Sequence, residues 1–287
     1  MTPHDSSDRR WQSLHLFMNP PFEPFLIDQL RPFLQAEIDS GKLRRFFFIR
    51  YSEGGNHLRL RFLPRAPADE SLGEWHRGLA TRAERHLRHL GALGEDYRLE
   101  TARYDRNEHY FGDTLDSVYA ELLNEATSWL ALDLLGSLGP ERRTARWLVL
   151  VATLDLLLRR ATLDAAERLA ELGSSREFAR RAAQSVGFPL KDPEAAGQRW
   201  ADTVASACPR ITAEADLEPR VERIVPPLRR VRQRGPRGRF VATHALHLLC
   251  NKLGFTLAEE HEAFATLERL AKANLTVRRK EENDEPK

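Results

Sequence analysis

The sequence predicts an α+β fold, in which an N-terminal ferredoxin-like βαββαβ sheet is followed by a mostly helical C-terminal half. Two observations predict it. Up to about residue 105, short segments with a side-chain period of two alternate with amphipathic segments of period 3.6, in the order strand, helix, strand, strand, helix, strand. From Asp113 onward the period is 3.6 throughout.

Residues 1–10 are polar and are expected to be a flexible N-terminus. Trp11 to Met18 reads as a strand closed by Asn19-Pro20-Pro21, and Phe25 to Ile38 as a helix stopping near Gly41. A hairpin follows, Phe46 to Tyr51 and His57 to Phe62, turning at Gly54-Gly55. Asp69 to Leu90 is a charged amphipathic helix with Asp69 or Ser71 as cap, and Tyr97 to Tyr104 a last strand. Helices are predicted over 113–136, 141–159, 163–186, 193–206, 214–233, 240–253 and 257–274, with Gly139-Pro140, Gly187 to Pro189 and Gly235 to Gly238 as breakers. The expected organisation is a ferredoxin-like part over 11–105, a helical part over 106–276 packed on it, and a disordered charged tail over 277–287.

Forty-four basic residues against 42 acidic ones argue against a bulk nucleic-acid or membrane binder. Cys208 and Cys250 cannot build a disulfide framework, which suits a reducing compartment. The N-terminus lacks the apolar core of a signal peptide, and the most apolar run, Trp147 to Leu158, holds Asp155 and is too short to span a bilayer. A cytoplasmic protein is expected, with neither nucleic acid nor membrane as partner.

Three groups of side chains bear on chemistry. In the second strand of the hairpin, period two sends His57, Arg59 and Arg61 to one face and Leu58, Leu60 and Phe62 to the other. Such a face is costly to bury, so it meets either solvent or an anionic or polar partner. The run Arg229 to Arg239, with Arg230, Arg232 and Arg234 at its centre, contains no acid, and reads as a solvated loop or a site for an acidic peptide or phosphates. It lacks the interleaved aromatics of a nucleic-acid platform. His244 and His247 are three apart, as are His86 and His89, but no third ligand stands at convincing spacing, and no metal is expected. His247 shares an apolar stripe with Val241 and Leu248, and Asn251, one turn on, could orient it. No dinucleotide fingerprint, P-loop, nucleophile elbow or paired-carboxylate signature is present, and no cofactor is expected.

Three segments carry a resemblance: Phe48-Ile49-Arg50-Tyr51 with His57-Leu58-Arg59-Leu60-Arg61; Tyr104 to Asp113 with Glu121 and Ser128 downstream; and His244 to Gly254, which contains His247-x-x-x-Asn251-Lys252-Leu253. Together they resemble the C-terminal glutamate-elimination domain of lantibiotic dehydratases, a family that includes stand-alone thiopeptide biosynthesis enzymes, and the likeness runs from Trp11 to the final helix. It implies removal of glutamate from a glutamylated Ser or Thr, using arginines of the first two segments and the late histidine. Arg59, Arg61 and His247 match, with Arg50, His57 and Asn251 beside them as substrate-binding candidates. The second segment departs: Tyr110-Phe111-Gly112-Asp113 stands where eliminating members have Arg-Tyr-Gly-Gly, and Asn107 replaces an acid. A neutral phenol cannot hold a carboxylate as a guanidinium does. Tyr97-x-x-Glu100-x-x-Arg103-Tyr104 also fits the family pattern, in which case Arg103 is the clamp residue.

A sister branch on this scaffold, the pyridine synthases of thiopeptide biosynthesis, lacks elimination residues. The resemblance therefore implies a formal aza-[4+2] cycloaddition of two dehydroalanines with loss of water and leader peptide. Tyr110 and His247 are the catalytic candidates, with Tyr104 in reserve; the sequence's lack of a glutamylating segment points the same way. The alternatives are a stand-alone glutamate-elimination enzyme of a split dehydratase, and a non-catalytic leader-peptide-binding scaffold that uses the hairpin and the basic run. The expected partner is a modified precursor peptide with its leader, met by Arg230, Arg232 and Arg234, alongside other enzymes of ribosomal-peptide antibiotic biosynthesis.

Overall fold

The computed structural model describes residues 11–65, 78, 81–86, 97–102, 104, 114–138, 143–162, 164–190 and 192–284. The chain divides into two compact units, residues 1–140 and 141–287.

The first unit contains strands β1 (Gln12–Phe17), β2 (Leu43–Tyr51), β3 (His57–Pro64) and β4 (Arg98–Ala102). They form one antiparallel sheet in the order β2-β3-β1-β4. Between β1 and β2 runs a helical segment made of α1 (Glu23–Phe25), a π-helical stretch (Leu26–Leu30) and α2 (Arg31–Asp39). After β4 comes α3 (Thr114–Leu138). Alternation explains the sheet's apolar face: Leu14 and Leu16 of β1, Leu58, Leu60 and Phe62 of β3, and Phe46 and Phe48 of β2 are all buried. Each such side chain contributes roughly 1.5–3 kcal/mol when removed from water. Phe33 of α2 meets Phe62 edge-on, and the helical residues 81–86 dock here too, Arg82 on Glu37 and His86 on the Gln29 carbonyl. Helix α3 lies along the outer strand β2, where Trp129 packs on Phe46 and the Ser128 hydroxyl accepts the Phe48 N–H at 3.2 Å. That contact satisfies a strand-edge donor that would otherwise be open to another chain. Gly54 and Gly55 take positive φ of 75° and 110°, which lets the hairpin turn back.

The second unit is helical: α4 (Arg143–Ala161), α5 (Ala165–Ser185), α6 (Pro193–Glu214), α7 (Leu217–Val221), α8 (Val225–Arg232), α9 (Gly235–Lys252) and α10 (Leu257–Asp284). Helix α10 packs against α5 and α6, and α9 against α8 and α5. Asp164 caps α5 by accepting the Glu167 N–H at 2.7 Å.

A small antiparallel sheet followed by helices bears out the α+β expectation; of the predicted helix 69–90, only 78 and 81–86 lie within the described residues. Three expectations need correction. The expected helix 214–233 is two helices, because Asp216 adopts a left-handed conformation and the prolines after Val225 cannot continue a preceding helix. The basic run is not a loop: Gly235-Pro236 opens α9, where proline in the first turn is favoured, so the arginines occupy two helix ends. Gly238 permits that junction, since a Cβ there would overlap the Val231 carbonyl. Helix α10 also continues to Asp284, into the stretch expected to be a disordered tail.

Candidate functional site

In the sheet unit, strand register assembles one polar face. Ser13, His15 and Phe17 stand opposite Arg61, Arg59 and His57, while Phe47, Ile49 and Tyr51 of β2 flank those three on the other side. Arg61 is only 2% exposed, donates to the Ser13 hydroxyl, and lies 5.6 Å from the Tyr104 ring centroid. Arg59 sits over the Tyr51 ring at 3.4 Å and donates from Nε to His57 Nε2 at 3.3 Å. The Nδ1–H of His57 donates to the Gly55 carbonyl at 2.8 Å. A carbonyl can only accept, so both contacts together select the neutral Nδ1–H form.

Charge regulation agrees with that geometry. Burial, reinforced by Arg59 and Arg61, holds His57 below its ordinary value despite the Gly55 hydrogen bond. Burial, Arg61, Arg59 and His57 push His15 down to about 4. Arg61 itself falls to about 10 through burial and the Arg59 charge, and remains a cation at neutral pH. The face is therefore not simply solvated: His57 and Arg61 are both interior groups.

Tyr104, also buried, donates its hydroxyl to Glu121 Oε1 at 3.3 Å and meets the Trp11 and Phe47 rings. Arg50 is elsewhere. It pairs in register with Leu58 on the opposite face, and its Nη1 binds Glu23 at 3.1 Å. The structure thus brings Arg59, Arg61, His57 and Tyr104 together and separates Arg50 from them. His15 escaped the sequence reading, although the alternation Ser13, His15, Phe17 was visible once β1 was known to border β3.

In the helical unit, Nδ1–H of His247 donates to Glu260 Oε2 at 2.8 Å. Glu260 comes from the next helix and is 2% exposed, whereas His247 keeps part of its side chain accessible. Burial alone would lower the His247 pKa, but the Glu260 charge and hydrogen bond outweigh it and hold the imidazole above its ordinary value. Phe178 of α5 packs on the His247 ring at 5.2 Å and on His244 at 5.9 Å. Asn251 is half-buried one turn further on. Cys250 is interior, and burial together with Glu260 pushes its thiol well up, away from thiolate chemistry. Lys252 is fully buried, and burial pulls its amine well down. Glu260 did have a sequence signal: with Phe264, Leu267 and Ala271 it follows helical spacing, an acid on an apolar stripe.

Of the basic run, Arg230 and Arg234 are exposed. Arg232 is interior, bound to Glu171 at 3.1 Å, to Glu167 at 3.0 Å and to the Ala161 carbonyl at 2.9 Å. Arg103, Asn107 and Tyr110 lie outside the described residues. Among the described residues no cluster of three His, Cys, Asp or Glu could hold a metal, and no helix is long and apolar enough to cross a membrane.

Fold and side chains define an α+β protein whose sheet unit holds a buried arginine and a buried tyrosine and whose helical unit holds a carboxylate-bound histidine. The chain belongs to the family described as lantibiotic biosynthesis dehydratase, C-terminal, whose model matches residues 11–273. That bears out the resemblance carried by the three sequence segments. Among solved structures, the chain is similar to the tRNA-dependent lantibiotic dehydratase MibB from Microbispora sp. 107891, with 22% identity and a TM-score of 0.66 over 97% of this chain and 29% of that one. It is similar to TsrL (18% identity, TM-score 0.56, 93% and 96% covered) and to TbtD, a pyridine synthase from thiomuracin biosynthesis (17% identity, TM-score 0.58, 93% and 99% covered). At these identities the likeness speaks for the fold alone, and the chain spans less than a third of the length of MibB. No curated protein sequence matches.

Proposed function

We propose that this protein is a thiopeptide-type pyridine synthase acting in the cytoplasm on a leader-bearing peptide that contains two dehydroalanines, its sheet unit being ferredoxin-like. The observation that carries the reading is Tyr110, a neutral phenol at the position where glutamate-eliminating relatives resemble one another in having arginine. The sheet unit supports it: Arg59 and Arg61 lie against tyrosine rings, and His15 and His57 are held neutral, which suits π-rich, uncharged groups.

The chemistry is redox-neutral. The amide of one dehydroalanine tautomerises to its iminol, giving a 2-azadiene; the second alkene adds across it, forming two ring bonds. The former amide oxygen then leaves as water, and the leader leaves as an amide, yielding the aromatic pyridine. Positioning two distant alkenes can lower the barrier by roughly 7–11 kcal/mol. The remaining need is for one donor and one acceptor at the iminol and a proton for departing water. Tyr110 and His247 serve these steps in our reading, with Tyr104 as a further donor.

The test is to incubate the protein with a leader-bearing bis-dehydroalanine peptide, and separately with a glutamylated peptide, and to follow mass. Loss of leader with ring formation is expected; loss of glutamate would overturn the reading. In the same assay Tyr110→Phe is expected to slow turnover with peptide affinity kept. A fully active variant would remove Tyr110 from the mechanism. The second reading, glutamate elimination, is favoured by Arg59, Arg61 and His247, which match the eliminating pattern, with Arg103 as clamp.

For the leader, we assign Arg230 and Arg234 as contacts and exclude Arg232, whose charge is already spent on Glu171 and Glu167. Replacing Arg230 and Arg234 together by Ala is expected to weaken leader affinity several-fold and to flatten its salt dependence, read by fluorescence anisotropy at several ionic strengths. Unchanged affinity would leave them as solvated surface.

A further inference from the structure

We propose that Glu260 is the positioning residue for His247: it fixes the imidazole in the Nδ1–H form and leaves Nε2 as the atom that exchanges protons with substrate. The inference rests on the reading above, that His247 serves the chemistry, and goes beyond it by naming what sets the histidine and which nitrogen reacts.

Geometry comes first. Oε2 of Glu260 lies 2.8 Å from Nδ1, and a carboxylate at that nitrogen requires a proton on it. Nε2 is then the lone-pair nitrogen of the neutral ring and the second acid of the charged one. The ring is braced from α5 by Phe178, which adds no charge, and from its own helix by His244. Among the described residues, the titratable groups that act on or touch this pair are Lys252, His244 and Cys250 on α9.

Burial comes second. Glu260 occupies an apolar stripe with Phe264 and Leu267 at 2% exposure, and among the described residues its Oε1 has no hydrogen-bond partner. Such an oxygen is a standing cost, which an aliphatic residue at this position would avoid. Its Oε2 bond to the imidazole gives a carboxylate at this interior position a reason to be there. A base oriented in turn by a third group is a recurrent arrangement in catalysis.

The substitutions separate orientation from charge. Glu260→Gln keeps an acceptor for Nδ1–H but removes the negative charge, so imidazolium loses its partner and His247 must titrate at lower pH. Glu260→Ala removes both, and Glu260→Asp restores the charge with a shorter reach. The experiment uses the full chain with 15N-labelled histidine, the His247 signals being assigned by their disappearance in His247→Gln. Turnover of the bis-dehydroalanine peptide is recorded against pH in parallel. In Glu260→Gln, His247 proton affinity is expected to fall about tenfold. The acid limb of turnover should move down with it, while KM stays within about twofold. Glu260→Asp should recover part of both shifts. In Glu260→Ala the nitrogen shifts should report mixed tautomers.

A Glu260→Gln protein whose His247 titration and acid limb coincide with wild type would overturn the inference, even if His247→Gln is inactive and the functional reading stands. A wild type inert toward both peptides would instead sink the functional reading, and the imidazole titration would still decide whether Glu260 sets the tautomer and proton affinity of His247.

Discussion

Turnover of a bis-dehydroalanine peptide is expected to fall by roughly 10²–10⁴-fold when His247 is replaced by alanine, the range over which a positioned general acid–base acts. Peptide affinity should hardly move, because the ring is held within its own unit, packed against Phe178 and bonded to Glu260. The alanine variant also strips a buried carboxylate of its partner, which costs about 1–3 kcal/mol of stability. His247→Gln is the control, since its amide can still donate to Glu260 while offering no titratable nitrogen. Both variants should therefore be equally slow in single-turnover mass spectrometry, and the glutamine variant nearer to wild type in thermal denaturation. Wild-type turnover in His247→Gln would show that no proton passes through this residue, leaving the tyrosines to carry the reaction.

The sheet was legible because its code is local. Alternation in Gln12–Phe17 and His57–Pro64 fixes which side chains share a face before any partner strand is known. What alternation does not give is the neighbour: His15 joins Arg59 only through the β1–β3 register, and Arg50 leaves the group because it pairs with Leu58. The helices were legible for the same local reason, except where proline carried two meanings. In the first turn of Val225–Arg232 and just after Gly235 it opens helices, although the same residue elsewhere stops them. The pair His247–Glu260 crosses from one helix to the next, and the pair Arg232–Glu171 spans 61 residues, so neither follows from spacing within a segment. The basic run misled for a related reason: like charges in a row look solvated until one of them finds a buried acid from a distant helix.

That buried acid carries the other large prediction. Glu171 of α5 is 2% exposed and accepts from Arg232 at 3.1 Å and from the Thr243 hydroxyl at 2.9 Å, which ties α5 to α8 and α9. Glu171→Ala leaves the Arg232 guanidinium buried with the Ala161 carbonyl and the more exposed Glu167 as its remaining partners among the described residues. The cost of an undercompensated interior charge is about 3–5 kcal/mol, so the denaturation midpoint of the helical unit should drop sharply. The attraction itself contributes much less than this, because desolvating both ions offsets most of it. Hence the double variant Glu171→Leu with Arg232→Met, which removes both charges and keeps the volume, is expected to recover most of the loss. Equilibrium denaturation of the two single variants and the double gives the coupling directly. Independent, additive losses would mean that Arg232 does not depend on Glu171, and Arg232 would then regain its claim as a contact for the leader peptide.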